Sequence, residues 1–249
     1  MGEAVFQLHQ VTHRFGELTV LTDLTFTVQP GERVGLIGPS GAGKSTLLSL
    51  LNGSLLPSQG TVQVLGQDLS ELQGQERRRL QRQVGTVYQQ HHLANNLAVI
   101  HNVNAGQLGR WSLARAAWSL LWPQDVETAV QALTQVGIPE KLYARTNRLS
   151  GGQQQRVAIA RVLVQNPTAI LADEPISSLD PARSHDLMAL LCRLTETTSK
   201  TLVVSLHDIE YAFQYCTRLI GLRQGQICFD AHPEQMDTAR IDALYALSA

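Results

Sequence analysis

Gly38-Pro39-Ser40-Gly41-Ala42-Gly43-Lys44-Ser45-Thr46 follows the apolar run Val34-Gly35-Leu36-Ile37 and precedes Leu47, Leu48, Leu50 and Leu51. The stretch fits the pattern G-x-x-x-x-G-K-[ST]. Its glycines let backbone N–H groups turn inward, and the positive end of the following helix adds to the attraction for an anion. The reading is a buried strand, a phosphate-cradling loop and a helix that opens near Lys44. Lys44 is placed for the β- and γ-phosphates of a nucleotide, and Ser45 can offer its hydroxyl to a magnesium ion whose shell is completed by phosphate, water and carboxylate. A glycine-rich turn without a ligand is the bland alternative, and the strand before it and helix after it argue against that.

Working outward, the chain has 249 residues, enough for one large domain or two small ones with a substantial core. Its net charge of −1 supplies no basic field, so a nucleic-acid partner is not expected. Cys192, Cys216 and Cys228 are odd in number and lack C-x-x-C spacing, which suits a reducing compartment. The N-terminus has no secretory pattern and no long apolar window occurs, so a cytosolic protein is expected.

Short β-prone runs over residues 5–11 and 24–28 predict an antiparallel layer ahead of the loop. Phe15 falls in a turn there, as core packing or as a platform for a base. Residues 60–66 and 84–88 read as strands, and Arg77, Arg78, Arg79 and Arg82 as a solvated helical face. His91 and His92 are adjacent, point in different directions and have no third partner at useful spacing, which argues against a metal site.

From about residue 90 to 165 the pattern is helical, with Asp125 as an N-cap and Gly137 as a stop. Trp111, Trp118 and Trp122 share one helical face in this reading. Packing is their expected role, with an exposed docking stripe as the alternative.

Ala169-Ile170-Leu171-Ala172 is an unbroken apolar run that delivers Asp173 and Glu174 at its C-terminal end, and residues 201–206 deliver His207 likewise. Active sites of parallel sheets lie at that edge. Asp173 is assigned to the magnesium ion, Glu174 to the attacking water, and His207 to the γ-phosphate. Arg223-Gln224-Gly225 predicts a hairpin, and residues 233–247 one or two closing helices.

Leu149-Ser150-Gly151-Gly152-Gln153-Gln154-Gln155-Arg156 resembles the LSGGQ signature of ATP-binding cassette (ABC) proteins, and the resemblance spans essentially the whole chain. Phe15, residues 38–46, Gln89, the signature, Asp173-Glu174, Ser177-Ser178-Leu179-Asp180 and His207 stand in the family's order. The resemblance implies one α/β cassette over residues 1–249, with a RecA-like P-loop core, an antiparallel β subdomain and an α-helical subdomain near 90–165. It also implies an ATPase working as a head-to-tail homodimer. Ser150, Gly151, Gly152 and Gln153 would then complete the γ-phosphate site of the other protomer, Phe15 would stack on the base, and Asp180 would lie at the dimer interface. Gln89 would link magnesium and water to an integral membrane permease at the cytoplasmic face of the membrane.

Val87-Tyr88-Gln89-Gln90-His91-His92-Leu93, Leu108-Gly109-Arg110 with the tryptophans, and Glu174-Pro175-Ile176 are most similar to the ATP-binding subunit of phosphonate importers. Cargo choice would rest with a separate solute-binding protein and the permease. Importers of phosphate or polar amino acids are the neighbouring alternative. A soluble cassette of ribosomes or DNA would carry two cassettes or coiled coils, and a small-molecule kinase would not need the signature.

Overall fold

This computed structural model describes residues 3–90, 92–177, 179–197 and 199–246. The elements run β1 (Phe6–Phe15), β2 (Leu18–Val28), β3 (Arg33–Ile37), α1 (Lys44–Leu51), β4 (Gln59–Val64), β5 (Gln67–Asp68), α2 (Gly74–Gln81) and β6 (Val84–Val87). Next come α3 (Val99–Asn104), α4 (Leu113–Leu121), α5 (Val126–Gln135) and α6 (Gly151–Gln165). The chain finishes with β7 (Ala169–Asp173), α7 (Pro181–Thr197), β8 (Thr201–Leu206), α8 (Ile209–Tyr215), β9 (Arg218–Arg223), β10 (Gln226–Ala231) and α9 (Thr238–Tyr245).

Two sheets result. One is antiparallel, ordered β2-β1-β4-β5; the other is ordered β10-β9-β3-β8-β7-β6 and is parallel from β9 to β6. The parallel strands are short apolar runs without polar alternation because both of their faces are covered. Val34, Leu36, Leu171 and Val203 face the antiparallel sheet and the leucines of α1, while Ile37, Ile170, Ala172, Leu202 and Val204 face the helices on the other side. Helix α1 is thus clamped between the sheets through Leu47, Leu48, Leu50 and Leu51, all 2% exposed or less. Each such leucine contributes about 1.5–3 kcal/mol by leaving water. Truncating Leu50 to alanine would cost about 2–5 kcal/mol and loosen the helix that holds the loop.

The antiparallel layer has longer strands than expected, since polar side chains alternating outward do not interrupt pairing. Asp125 does precede α5, but it adopts φ 46° and makes no side-chain cap. Its carboxylate instead takes a bidentate pair of hydrogen bonds from Arg115, both 2.9 Å. The α4 region overturns the packing expectation for Trp118 and Trp122, whereas half-buried Trp111 carries the Arg115 guanidinium over its ring. Trp111 precedes the helix, Trp122 follows it, and Trp118 and Trp122 are 60% and 70% exposed. Ser119 is the buried residue of α4, and Leu113, Leu120 and Leu121 lie outside as well. The closing segment forms a 3-10 turn at Pro233–Gln235 and then α9. The expectations for His91, Ser178 and Leu247 fall outside the described residues.

Candidate nucleotide site

The register of the parallel sheet brings the sequence-predicted groups together. Ile37 pairs with Leu206, Asp173 with Ser205, and Val87 with Ala172. The glycine loop, His207, the Asp173-Glu174 pair and the segment bearing Gln89 therefore leave neighbouring strands in one row along the C-terminal edge. Those strands are far apart in sequence, so pairing order rather than chain proximity assembles the site.

Residues 38–43 arch from β3 into α1. Gly38 has φ 150° and Gly43 φ 102°, and a Cβ on Gly38 would stand 2.0 Å from the Leu222 carbonyl oxygen. No other residue fits the first position. Within the arch, Lys44 Nζ donates to the carbonyl oxygens of Gly38 (2.7 Å) and Pro39 (3.1 Å). Lys44 is 5% exposed, and burial lowers its pKa below that of an ordinary lysine while the charges of Glu174 and Asp173 act in the opposite sense. Its ammonium is held under the loop with acceptors that a bound phosphate oxygen could replace. Ser45, in the first turn of α1, is exposed, Thr46 is half-buried, and Ser40 and Gly41 are open to solvent beside buried Ala42.

At the end of β7 the two carboxylates diverge, Asp173 toward Ser205 and Glu174, just past the strand, toward His207. Asp173 Oδ1 accepts from Ser205 Oγ at 2.7 Å, and the Glu174 N–H donates to the same hydroxyl oxygen at 2.8 Å. Glu174 sits at φ 46°, a conformation disfavoured for a residue with a Cβ. Its Oε1 lies 2.5 Å from His207 Nε2, so the sequence-predicted base and the sequence-predicted phosphate contact form a pair. Gln89 Nε2 donates to Ser177 Oγ at 3.3 Å, which ties the segment after β6 to the turn after Glu174. Ser205 was missed by sequence reading; the signal was a hydroxyl inside the otherwise apolar end of β8.

The signature residues are elsewhere. Ser150 caps α6, with its Oγ accepting from the Gln153 N–H (3.3 Å) and its own N–H donating to Gln153 Oε1 (3.1 Å). This reciprocal capping box explains the helix start locally. Ser150 and Gly151 are exposed, and no atom lies within 4 Å of where a Gly151 Cβ would be. A Cβ on Gly152 would stand 3.8 Å from the Leu179 side chain and 3.9 Å from that of Arg183. Asp180 opens α7, accepting from the Arg183 N–H at 3.1 Å. Phe15 is 51% exposed at the tip of β1, edge-on to His13. It is not a core residue.

A groove of about 730 Å³ opens beside the segment that follows β6. Arg78, Arg82, Arg161, Tyr88, Leu108 and Trp111 are among its lining residues, and among the described residues no carboxylate lines it.

Comparison with known proteins agrees with this geometry. The ABC transporter family profile matches residues 21–177. The phosphonates import ATP-binding protein PhnC of Pseudomonas putida is 42% identical over 245 residues, covering 98% of this chain and 91% of the relative. PhnC 1 of Pseudomonas savastanoi pv. phaseolicola is 44% identical over 237 residues, or 95% and 89% of the two chains. Among solved structures, the ATP-binding cassette MJ0796, a dimer in a post-hydrolysis state bound to ADP and Pi, superimposes with a TM-score of 0.80 at 32% identity, covering 93% of this chain and all of that one. The cbiO1 protein of Clostridium perfringens, part of the ABC transporter complex cbiONQ, gives 0.82 at 25% identity over 94% and 90%. With the glycine loop, the signature turn and the divergent carboxylates in their places, the chain belongs to the ABC transporter family.

Proposed function

We propose that the chain binds and hydrolyses ATP as the energising subunit of a phosphonate importer. The observation that carries the ATPase reading is the row formed by the Lys44 loop, Asp173, Glu174 and His207 along one sheet edge. The full-length similarity to phosphonates import ATP-binding proteins carries the cargo.

In this reading, the N–H groups of residues 38–46 and the Lys44 ammonium cradle the β- and γ-phosphates. Phe15 offers its exposed ring to the base. The Glu174 carboxylate accepts a proton from water as the water oxygen attacks the γ-phosphorus and the bond to the β,γ-bridging oxygen breaks, leaving ADP and inorganic phosphate. His207 holds Glu174 Oε1 in place and stands next to the departing γ-phosphate. The oxygen donors Ser45, Asp173 and Gln89 suit magnesium, which supplies charge neutralisation on the phosphates when bound.

The exposed turn at Ser150, Gly151, Gly152 and Gln153 would meet the γ-phosphate of a second copy, making ATP a bridge across a head-to-tail homodimer. The groove beside Gln89 is the proposed seat of a membrane permease, with a solute-binding protein delivering cargo to it. Through that permease the subunit would sit at the membrane's cytoplasmic face; no described helix is itself long and apolar enough to cross a membrane.

The test is the ATPase rate of the assembled complex, titrated with phosphonates, phosphite, phosphate and amino acids. Stimulation by a phosphonate through the binding protein is expected. Stimulation by an unrelated solute alone would keep the ATPase and discard the cargo.

A further inference from the structure

The Ser205 hydroxyl occupies a position that neither the loop nor the carboxylates explain. It is fully buried in β8, between the strand carrying the glycine loop and the strand carrying Asp173. Elsewhere in β8 the side chains are apolar apart from Thr201 at the strand start, whose hydroxyl accepts from the Gly31 N–H at the opposite end of the sheet.

The direction of both Ser205 hydrogen bonds is fixed by chemistry. A backbone N–H can only donate, so the hydroxyl oxygen accepts from Glu174, and its proton must go to Asp173 Oδ1. One hydroxyl therefore joins the two residues at the point where their side chains part, Asp173 to one side and Glu174 toward His207. The junction is strained, with Glu174 at φ 46°. A non-glycine residue stays there only when its surroundings over-determine it. Downstream, Ser177 N–H and Oγ both donate to the Glu174 carbonyl oxygen, at 3.3 and 3.1 Å. Upstream, Ser205 supplies the contact to the Glu174 N–H.

We propose that Ser205 is a positioning residue that sets the direction of the Asp173 carboxylate and the backbone of Glu174 together, so that the metal ligand and the water-activating base keep a fixed relation. This rests on the ATPase reading above. It follows that losing the hydroxyl would disturb magnesium binding and turnover in parallel while leaving the phosphate loop, and ATP binding without metal, as they are.

Threonine and valine at this position have nearly the same shape and differ in the hydroxyl, so comparing Ser205→Thr with Ser205→Val cancels packing. Ser205→Ala adds a variant with no extra bulk. Turnover and KM for ATP are measured for each, together with ATP affinity by calorimetry in EDTA and in magnesium. The expected result is that kcat falls at least about tenfold in Ser205→Val and Ser205→Ala and stays within about threefold in Ser205→Thr. The tightening of ATP binding by magnesium should shrink in the first two, while affinity in EDTA stays at the parent value. Equal behaviour of the threonine and valine variants, or an alanine variant within twofold of the parent in both readouts, would overturn the proposal. Glu174→Gln run alongside separates the two readings. Turnover surviving in Glu174→Gln would remove Glu174 as the base, and with it the reading on which this proposal rests, whereas an inactive Glu174→Gln beside an unaffected Ser205→Ala removes only the role of Ser205.

Discussion

Helices α1 and α6 both open on glycine-containing turns that present N–H groups, yet the chain treats the two openings in opposite ways. The α1 opening is roofed by strands of both sheets, its lysine is folded beneath the loop, and two carboxylates stand close enough to act on that lysine's charge. The α6 opening is closed by its own capping box, and Ser150 and Gly151 there are exposed. One is a nearly finished site within a single chain. The other has shape without a partner, which is the physical content of reading the cassette as half of a dimer.

Glu174→Gln tests the finished half most severely. Turnover should fall by about 10²–10⁴-fold while ATP still binds, and size-exclusion chromatography with ATP should show a trapped dimer. Near-normal phosphate release would strip Glu174 of its role. Lys44→Ala should weaken ATP binding by about 10–100-fold, the value of charge-assisted hydrogen bonds to phosphate. An unchanged dissociation constant would place the phosphates outside the loop.

Gly151→Val probes the open half. Among the described residues no atom lies within 4 Å of where the new Cβ would be, so the isolated protein should fold and bind ATP as before, while ATP-dependent dimerisation and turnover drop by about tenfold. If ATP affinity of the monomer fell as far as in Lys44→Ala, the contrast between the two helix openings would collapse.

The tryptophans of the α4 region sharpen the same contrast between buried and outward-facing parts. Trp118→Ala should shift folding stability by less than about 0.5 kcal/mol, as for most surface substitutions, and a melting curve decides it. A loss of several kcal/mol would return Trp118 to a packed environment.

The smallest effect concerns thiols. Burial pushes Cys192 up to about 11 and Cys216 up to about 12, against an ordinary value of 9.0. Both should resist Ellman's reagent at pH 8 while exposed Cys228 reacts, and all should react after denaturation. Because the folded thiols hold their protons while unfolded ones ionise, stability from this source is intact below about pH 9 and declines as pH rises above it. A rise in stability over that range would contradict the burial argument.

Much of this architecture was legible in the residues. Gly38 to Thr46 could be read because a phosphate cradle demands small residues and a lysine at fixed spacing. The strand ends at Asp173 and His207 could be read because unbroken apolar runs mark doubly covered strands. The α4 region was misread for a related reason. Spacings of seven and four show that Trp111, Trp118 and Trp122 could share a face, but periodicity carries no information on whether anything lies against it. Asp125 shows the same limit: its place before a helix was right, while the contact its side chain makes depended on Arg115.

By itself the sequence determined the phosphate loop, the signature cap, the strand-end acids and the order in which they occur, since each follows from local geometry over a few residues. Only the tertiary structure decided that Glu174 meets His207, that Gln89 meets Ser177, and that Ser205 reaches across 32 residues of chain to Asp173. Those contacts come from the register of parallel strands. Register is set by the summed burial of two sheet faces at once, which no single stretch of residues contains.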